Sequence, residues 1–238
     1  MIIRSKAPLR LGLAGGGSDV SPYSDIYGGL VLNATINLYC FCTIEETDDN
    51  KITIDAYDAH THESHPVSSH LEIDDNAPLI KGVYNRVIKD FNIEPRAFKI
   101  TTYNDAPAGS GLGTSSGMVV CILKAFVEWF NLPLGDYELA RLAYEIERID
   151  LGFRGGWQDQ IAAAYGGLNR IDFHDNDFSV HPVIISPERK RELDGNLLLF
   201  YTGVQRFSSD IQADTFAKPV DKTQQLKDML AVICIQLL

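Results

Sequence analysis

The sequence predicts an α+β fold, because strand patterns and helix patterns occupy different parts of the chain. Alternating and β-rich apolar runs dominate the first half. A loop rich in glycine, proline and small residues, Asn104 to Gly113, then leads into two strongly helical patterns. Strand patterns return after a second glycine-rich break at Gly152 to Gly156.

The predicted elements follow one another without an internal repeat. Leu197 to Tyr201 is predicted to be a buried strand, and the polar stretch holding His60, His62 and His65 an exposed hairpin turn, not a metal site. Strands are predicted over 2–13, 30–45, 51–57, 97–103, 168–173, 178–185 and 197–201, and helices over 78–91, 115–130, 136–149 and 158–165. The chain ends inside a further apolar helical pattern.

Composition excludes several classes of protein. The 238 residues are 45% hydrophobic and 22% charged, as in ordinary globular domains. A formal net charge of −11 argues against nucleic acid or an anionic membrane as a partner. The N-terminus has no signal-like apolar stretch, which predicts a cytoplasmic protein. The four cysteines lack zinc spacing, and Cys40 and Cys42 are predicted to be buried free thiols on one face of a strand.

The most informative segment predicts a phosphate-binding loop. Three alternating glycines allow a tight turn that aims backbone N–H groups at one point, and hydroxyl residues follow at the start of a helix. Ser115 or Ser116 could also ligate Mg²⁺. The alternative is a glycine-rich turn that only caps a helix. The segment reads Pro107, Ala108, Gly109, Ser110, Gly111, Leu112, Gly113, Thr114, Ser115, Ser116, Gly117.

Two carboxylates are the expected partners of such a loop in a phosphotransferase. Glu147 is favoured over Glu145 as a magnesium ligand, because Glu145 has arginines at helical spacing and Glu147 has none. Asp159, at the start of a helix, is the candidate base or hydroxyl-orienting group. The alternatives are an ordinary surface glutamate and a simple charge at a helix N-terminus.

The N-terminal segment combines a cation in a strand with a flexible turn. Arg10 is the candidate for stabilising charge on a transferred phosphoryl group, and Asp19 for accepting hydrogen bonds from sugar hydroxyls. By itself, Arg10 would equally suit a strand edge. The turn reads Ala14, Gly15, Gly16, Gly17, Ser18, Asp19.

Taken together and in this order, these segments resemble the GHMP kinase family, most closely its heptose 7-phosphate kinases and then its fucokinases. The resemblance implies a ribosomal protein S5 domain 2-like N-terminal domain over 1–184. It also implies the beginning of a ferredoxin-like C-terminal domain over 185–238, with about a third of a typical member, including its third glycine-rich motif, lying beyond Leu238.

The resemblance also assigns roles to individual residues. It implies Asp159 and Arg10 as catalytic residues, and Ser115 and Glu147 as magnesium ligands. The expected ATP-binding residues are Pro107, Gly109, Ser110, Gly111, Leu112, Gly113, Thr114, Ser115 and Ser116, and the expected sugar-binding residues are Gly16, Gly17, Ser18, Asp19 and Gly156.

The predicted function is therefore phosphoryl transfer from Mg-ATP to the anomeric hydroxyl of a sugar, with D-glycero-D-manno-heptose 7-phosphate as the leading substrate. The alternatives are a fucokinase-like or galactokinase-like enzyme, and a fragment that binds nucleotide or sugar without chemistry. A homodimer is left open. The residues that would hold a substrate phosphate are also open, with Lys81, Arg154, Arg170 and Arg206 as candidates.

Overall fold

The core of the protein is built on one mixed β-sheet. The structure, a computed structural model, describes residues 1–201, 203 and 224–230. Within that part, seven strands run in the order β4-β3-β5-β2-β6-β7, with β1 paired to β2. Only β3 and β5 pair in parallel. The strands are β1 Ile2–Ala14, β2 Gly29–Glu46, β3 Lys51–Ala56, β4 Thr61–Pro66, β5 Phe98–Asn104, β6 Leu168–His174 and β7 Asp177–Pro182.

The long strand β2 explains how the sheet brings distant segments together. Its first part pairs with β6 and its last part with β5, while β1 runs antiparallel along it. The register of β1 shifts between Pro8 and Arg10. The irregularity therefore lies within the strand, next to Arg10, the candidate catalytic cation.

Several helices pack against the sheet or one another, and α3 is the central one, because it contacts β1, β2 and β5 as well as α2, α4 and α5. The helices are α1 Tyr23–Tyr27, α2 Pro78–Asp90, α3 Thr114–Phe130, α4 Asp136–Tyr144, α5 Gln158–Tyr165 and α6 Pro187–Asn196; a π-helical turn, Glu145–Asp150, continues α4.

Helix α3 is apolar nearly all round, which is why it lies in the core. It packs on β1 and β2, where Leu9 and Cys40 point towards it. A Cβ atom added at Gly117 would lie 3.1 Å from Cys40 Sγ. Glycine there lets the first turn of α3 approach the sheet closely, which holds the loop before it against the strand ends.

The predicted α+β fold is confirmed, and the helix over 158–165 has the predicted bounds. Cys40, Cys42 and Cys121 are buried free thiols. Within the described part of the chain, no helix is long and apolar enough to cross a membrane.

Two predictions about elements are wrong. Leu197 to Tyr201 is not a strand, and Leu198 and Phe200 are each 79% exposed. Among the described residues no strand pairs with this segment, and an apolar run forms a strand only when it has a partner. His62 and His65 lie on β4, not in a turn; β4 pairs with β3, and only His60 occupies the turn.

The division at residue 184 stays a prediction. Of the expected C-terminal unit, the structure describes α6 at its start and a helical segment over 224–230. The rest of the predicted terminal helix lies outside the described residues.

Candidate active site

A cavity of about 710 Å³ opens where β1, β5, α3, α5 and the π-helical turn meet. Residues of the glycine-rich segments 14–19 and 107–117 border the cavity, as do the loop 152–156 and the two candidate acids, Glu147 and Asp159. The predicted site residues that line it are Arg10, Gly17, Asp19, Gly109, Gly111, Gly113, Thr114, Ser115, Ser116, Glu147, Gly156 and Asp159. Segments far apart in sequence therefore converge on one space, as the predicted site requires.

The glycine turn before α3 has the alternating backbone that its sequence predicts. Gly109, Gly111 and Gly113 have φ values of 73°, 77° and 77°. Only glycine adopts this region without strain. A Cβ at Gly111 would meet nothing within 4 Å, so open space lies beside the turn. Ser110 Oγ is buried without a hydrogen-bond partner among the described residues.

The start of α3 differs from the expected hydroxyl cap. The N-cap residue is Gly113, and no side chain caps the helix. Ser115 Oγ instead donates to Glu147 Oε1 at 2.6 Å, and Ser116 Oγ accepts from Arg148 Nη2 at 3.1 Å. The first N–H groups of α3 consequently remain available to an anion in the cavity.

Glu147 is a buried carboxylate at the edge of this cavity, only 1% exposed. Besides Ser115, it accepts a hydrogen bond from Gln160 Nε2 at 2.7 Å. Burying an ionised carboxylate is costly unless it is hydrogen-bonded and paired with a cation. The π-helical turn places Glu147 inward, and such turns often occur at functional sites.

The predicted ion pairing of the two glutamates is wrong in both cases. Glu147 has a cation after all, since Arg148 Nη1 lies 3.2 Å from its Oε1. Glu145 pairs with Arg86, at 2.5 Å, and not with an arginine of its own helix. Helical spacing considers only neighbours on one helix, whereas these pairs involve an adjacent residue and a different helix, α2. The preference for Glu147 over Glu145 as the inward-facing acid agrees with its burial.

Arg10 and Asp159 form an ion pair beside the glycine turn. Arg10 Nε and Nη2 lie 2.6 Å and 2.5 Å from the same oxygen, Asp159 Oδ1. Arg10 Nη1 donates to the carbonyl oxygen of Gly111 at 2.7 Å. Among the described residues, Asp159 Oδ2 makes no hydrogen bond. The pair thus fixes the carboxylate while leaving one oxygen free to meet a substrate.

Asp19 connects the N-terminal turn to the start of α5. Its Oδ1 accepts from Gly17 N and its Oδ2 from Gln158 N, each at 3.1 Å. Burial raises the pKa of Asp19 above its usual range, and nearby Asp159 raises it further, while the hydrogen bond from Gln158 N opposes the shift. Asp19 is therefore positioned by backbone groups and has remaining lone pairs for a ligand.

The remaining predicted residues have different surroundings. Ser18 is fully buried, donating to Gly15 O at 2.8 Å and accepting from Leu30 N at 3.1 Å, so its hydroxyl stabilises the turn itself. Pro107, Ser110, Leu112 and Gly16 lie next to lining residues but not on the cavity wall.

Two residues at the site were not predicted. Arg148 binds both Glu147 and Ser116, and Gln160, which is fully buried, holds the other Glu147 oxygen. Two features of the sequence could have indicated these residues. They are an arginine adjacent to the candidate metal ligand and a glutamine one residue after Asp159. The contacts of Arg148 with Ser116 and of Gln160 with Glu147 join different elements, and the Arg148–Glu147 pair joins adjacent residues, so helical spacing indicates none of them.

The residues present fit a magnesium nucleotide. Open space beside Gly111 and the uncapped start of α3 suit a polyphosphate. Ser115 and Glu147 supply the oxygen donors that Mg²⁺ prefers. No group of three or more His, Cys, Asp or Glu side chains able to hold a metal occurs in the described part of the chain. A hard cation there would take its other ligands from phosphate and water, as Mg²⁺ commonly does.

Of the three candidate phosphate-binding cations that the structure describes, one borders the cavity. Arg154 is exposed on its wall. Lys81 is fully buried and pairs with Asp74 and Glu63, and Arg170 lies on β6 with Asp172 at 2.7 Å. Arg206 lies outside the described residues.

Comparison with known proteins shows which family this chain resembles. Residues 78–167 match the family described as GHMP kinases N terminal domain. The D-glycero-alpha-D-manno-heptose 7-phosphate kinase of Campylobacter jejuni is 46% identical over 231 residues, which are 97% of this chain and 68% of that protein.

Solved structures give the same match. A crystal structure described as a D-glycero-D-manno-heptose 1-phosphate kinase from Bacteroides thetaiotaomicron is 68% identical, with a TM-score of 0.79. The match covers 81% of this chain and 63% of that one. The mevalonate kinase of Methanococcus jannaschii, 21% identical with a TM-score of 0.76 over the whole of this chain and 72% of that one, shares the fold. The chain thus spans about two thirds of the length of these relatives.

Proposed function

Because this chain belongs to the GHMP kinase family, we propose that it supplies the ATP-binding and sugar-binding part of a kinase that phosphorylates the anomeric hydroxyl of D-glycero-D-manno-heptose 7-phosphate. The names of the Campylobacter and Bacteroides relatives both specify a heptose that carries a phosphate. The supporting observation from the geometry is the Arg10–Asp159 pair, with its free carboxylate oxygen beside the glycine turn and Glu147 on the same cavity wall.

Binding and positioning would be the main task of the chain. In this proposal, the amides of the Gly109 to Gly113 turn and the first turn of α3 receive the phosphates of ATP. Mg²⁺, when held by Ser115 and Glu147, would neutralise phosphate charge. Asp19 and the backbone around Gly156 would orient the sugar hydroxyls.

Asp159 would act on the attacking hydroxyl. The anomeric oxygen forms a bond to the γ-phosphorus while the bond from that phosphorus to the bridging oxygen breaks, and ADP leaves. The hydroxyl proton passes to Asp159, whose Oδ2 is free to accept it. Arg10 holds the carboxylate through Oδ1 at 2.6 Å and 2.5 Å, so the acceptor oxygen does not need to be reoriented during the reaction.

The substitution Asp159→Asn tests this role. It keeps the shape of the side chain but removes the base, so ATP binding should stay close to wild type while turnover drops on the order of 10²- to 10⁴-fold. The measurement is ADP release with Mg-ATP and heptose 7-phosphate, fucose or galactose in parallel. Normal turnover in the variant would refute the assignment.

A matched control and a rival outcome complete the experiment. Asp175→Asn changes a carboxylate in the β6–β7 turn, away from the cavity, and should leave turnover unchanged. The Campylobacter relative serves as the positive control. If it releases ADP and the present chain binds ATP but releases none with any sugar, the chain is a binding module instead. A preference for fucose or galactose would show that one of these sugars, and not the heptose, is the substrate.

A further inference from the structure

Three arginines of the described residues line the cavity, and one of them has no counter-ion among those residues. Arg10 pairs with Asp159, and Arg148 with Glu147. Arg154 has no carboxylate within ion-pair distance in the part of the chain that the structure describes, and its side chain is exposed on the cavity wall. Since the lining also contains four acids, Asp19, Asp58, Glu147 and Asp159, Arg154 is the positive charge left for an incoming anion.

The backbone that carries Arg154 is held at both sides. Its carbonyl oxygen accepts a hydrogen bond from Arg148 Nη1 at 3.1 Å. A Cβ at Gly155 would lie 2.2 Å from Arg148 Cζ, and one at Gly156 would lie 2.0 Å from Asp19 Oδ2. The short loop is therefore pressed between Arg148 and Asp19. The side chain of Arg154 is free, whereas its attachment point is fixed.

We propose that Arg154 binds the phosphate of a phosphorylated sugar and so selects such sugars over unphosphorylated ones. This inference rests on the proposed function and assigns a residue to the substrate class. A guanidinium group offers paired donors that match phosphate oxygens. The loop leads within two residues to Gly156 against Asp19, which places Arg154 next to the predicted sugar subsite.

The phosphates of ATP have other partners in this cavity. The glycine turn, the uncapped start of α3, and a cation held by Ser115 and Glu147 already provide for them. In this proposal the hydroxyl end of the sugar faces Asp159, and the phosphate that the sugar carries needs a partner of its own. Among the cations that line the cavity, Arg154 is the one not engaged with a carboxylate.

Another cation, Lys227, lies near the turn over residues 14–19 but does not line the cavity. Lys227 Nζ lies 4.3 Å from the centre of the Tyr27 ring, and Lys227 is not among the lining residues. Its cation–π contact gives it a partner outside the cavity. The geometry thus favours Arg154 over Lys227 for a ligand inside.

The test measures binding constants by titration calorimetry on the full chain. The variants are Arg154→Gln, Arg154→Lys and the control Arg170→Gln, which removes an arginine charge outside the cavity lining. The probes are heptose 7-phosphate, unphosphorylated D-glycero-D-manno-heptose and Mg²⁺ with the non-hydrolysable ATP analogue AMPPNP. Arg154→Gln should weaken binding of heptose 7-phosphate by about 10- to 100-fold, the range for a hydrogen-bonded charge pair.

The other arms separate this role from general damage to the loop. Arg154→Lys should recover part of the affinity for heptose 7-phosphate, and Arg170→Gln should match wild type. Affinities for the unphosphorylated heptose and for the nucleotide should not change in Arg154→Gln. An equal loss for both sugars, or a loss for AMPPNP alone, would overturn the assignment.

The same titrations distinguish a failure of the proposed function from a failure of the role assigned to Arg154. If the wild-type protein binds AMPPNP but neither heptose, the proposed substrate class is wrong, and the proposed role of Arg154 is wrong as well. If wild type binds heptose 7-phosphate and Arg154→Gln binds it equally well, the proposed function stands and only the assignment of Arg154 is overturned.

Discussion

At the scale of single residues, close packing around two glycines shapes the wall of the cavity where we propose that the sugar binds. Gly155 leaves room for the guanidinium group of Arg148, and Gly156 leaves room for the carboxylate of Asp19. Neither position has a positive φ, so the requirement is for space and not for backbone freedom. Each glycine lets a charged side chain lie directly against the backbone of the loop that ends at α5.

The substitution Gly156→Ala should therefore damage both the fold and the site. The added methyl group would overlap Asp19 Oδ2, at 2.0 Å, and meet the Asp19 carbonyl oxygen at 3.0 Å. We expect a loss of about 1–3 kcal/mol in the free energy of unfolding, as for other overpacked sites. Sugar affinity should fall as well. Denaturant unfolding and calorimetric titration with the sugar measure the two effects.

Gly195→Ala is the matched control for that change. Gly195 lies in α6, where an added Cβ meets nothing within 4 Å. Alanine there should be neutral or slightly stabilising. Equal effects of the two substitutions would contradict the steric account.

At the scale of elements, a polar face of the sheet shows how strands β3, β4 and β5 are linked. Asp55 on β3 lies 2.7 Å from Lys99 on β5 and also contacts His62 on β4. These are cross-strand neighbours on the face away from α3. The hydrogen bond from Lys99 lowers the pKa of Asp55 below its usual range, and the contact with His62 lowers it further.

The sign of this shift predicts a pH dependence of stability. A lowered pKa means that the ionised carboxylate stabilises the folded state above about pH 4, and that this contribution is lost as the pH falls through the folded-state pKa. Asp55→Asn should lower the free energy of unfolding by about 1 kcal/mol at pH 7. The difference from wild type should shrink below about pH 4, because wild type then loses the same interaction.

Urea unfolding at a series of pH values checks this prediction. Asp48→Asn, in the exposed turn before β3, serves as the control and should behave like wild type at every pH. A difference between Asp55→Asn and wild type that is constant across the series would show that the effect is not electrostatic.

Local patterns predicted the glycine turn and the helix after it well, because the glycine spacing and the apolar run each act within a few residues. The partners of Glu147 were missed for the opposite reason. Arg148 reaches it from the adjacent position, and Gln160 reaches it from another helix. The apolar segment Leu197 to Tyr201 was also misjudged, because a strand depends on a neighbour that local sequence does not identify.

At the scale of the whole molecule, the site depends on contacts between distant parts of the chain. Arg10 reaches Asp159 across 149 positions, and Gln158 N reaches Asp19 across 139. The sequence predicts Arg10, Asp19 and Asp159 singly, through their local motifs and the family resemblance. Their distances depend on β2, which holds β1, β5 and β6 together, and no local pattern specifies that pairing.

We propose that the glycine turn, Ser115 and Glu147 form one site for a magnesium nucleotide, and thermal unfolding of the protein with Mg²⁺ and AMPPNP is the decisive experiment. A ligand at about 100 times its dissociation constant stabilises the folded state by about 2.7 kcal/mol, so the unfolding temperature of wild type should rise. Ser115→Ala and Glu147→Gln should each lose most of the magnesium-dependent part of that rise. Glu145→Gln, which changes a glutamate paired with Arg86 outside the cavity lining, should keep it. A wild-type unfolding temperature that does not respond to magnesium nucleotide, or an equal response in all three variants, would contradict the account.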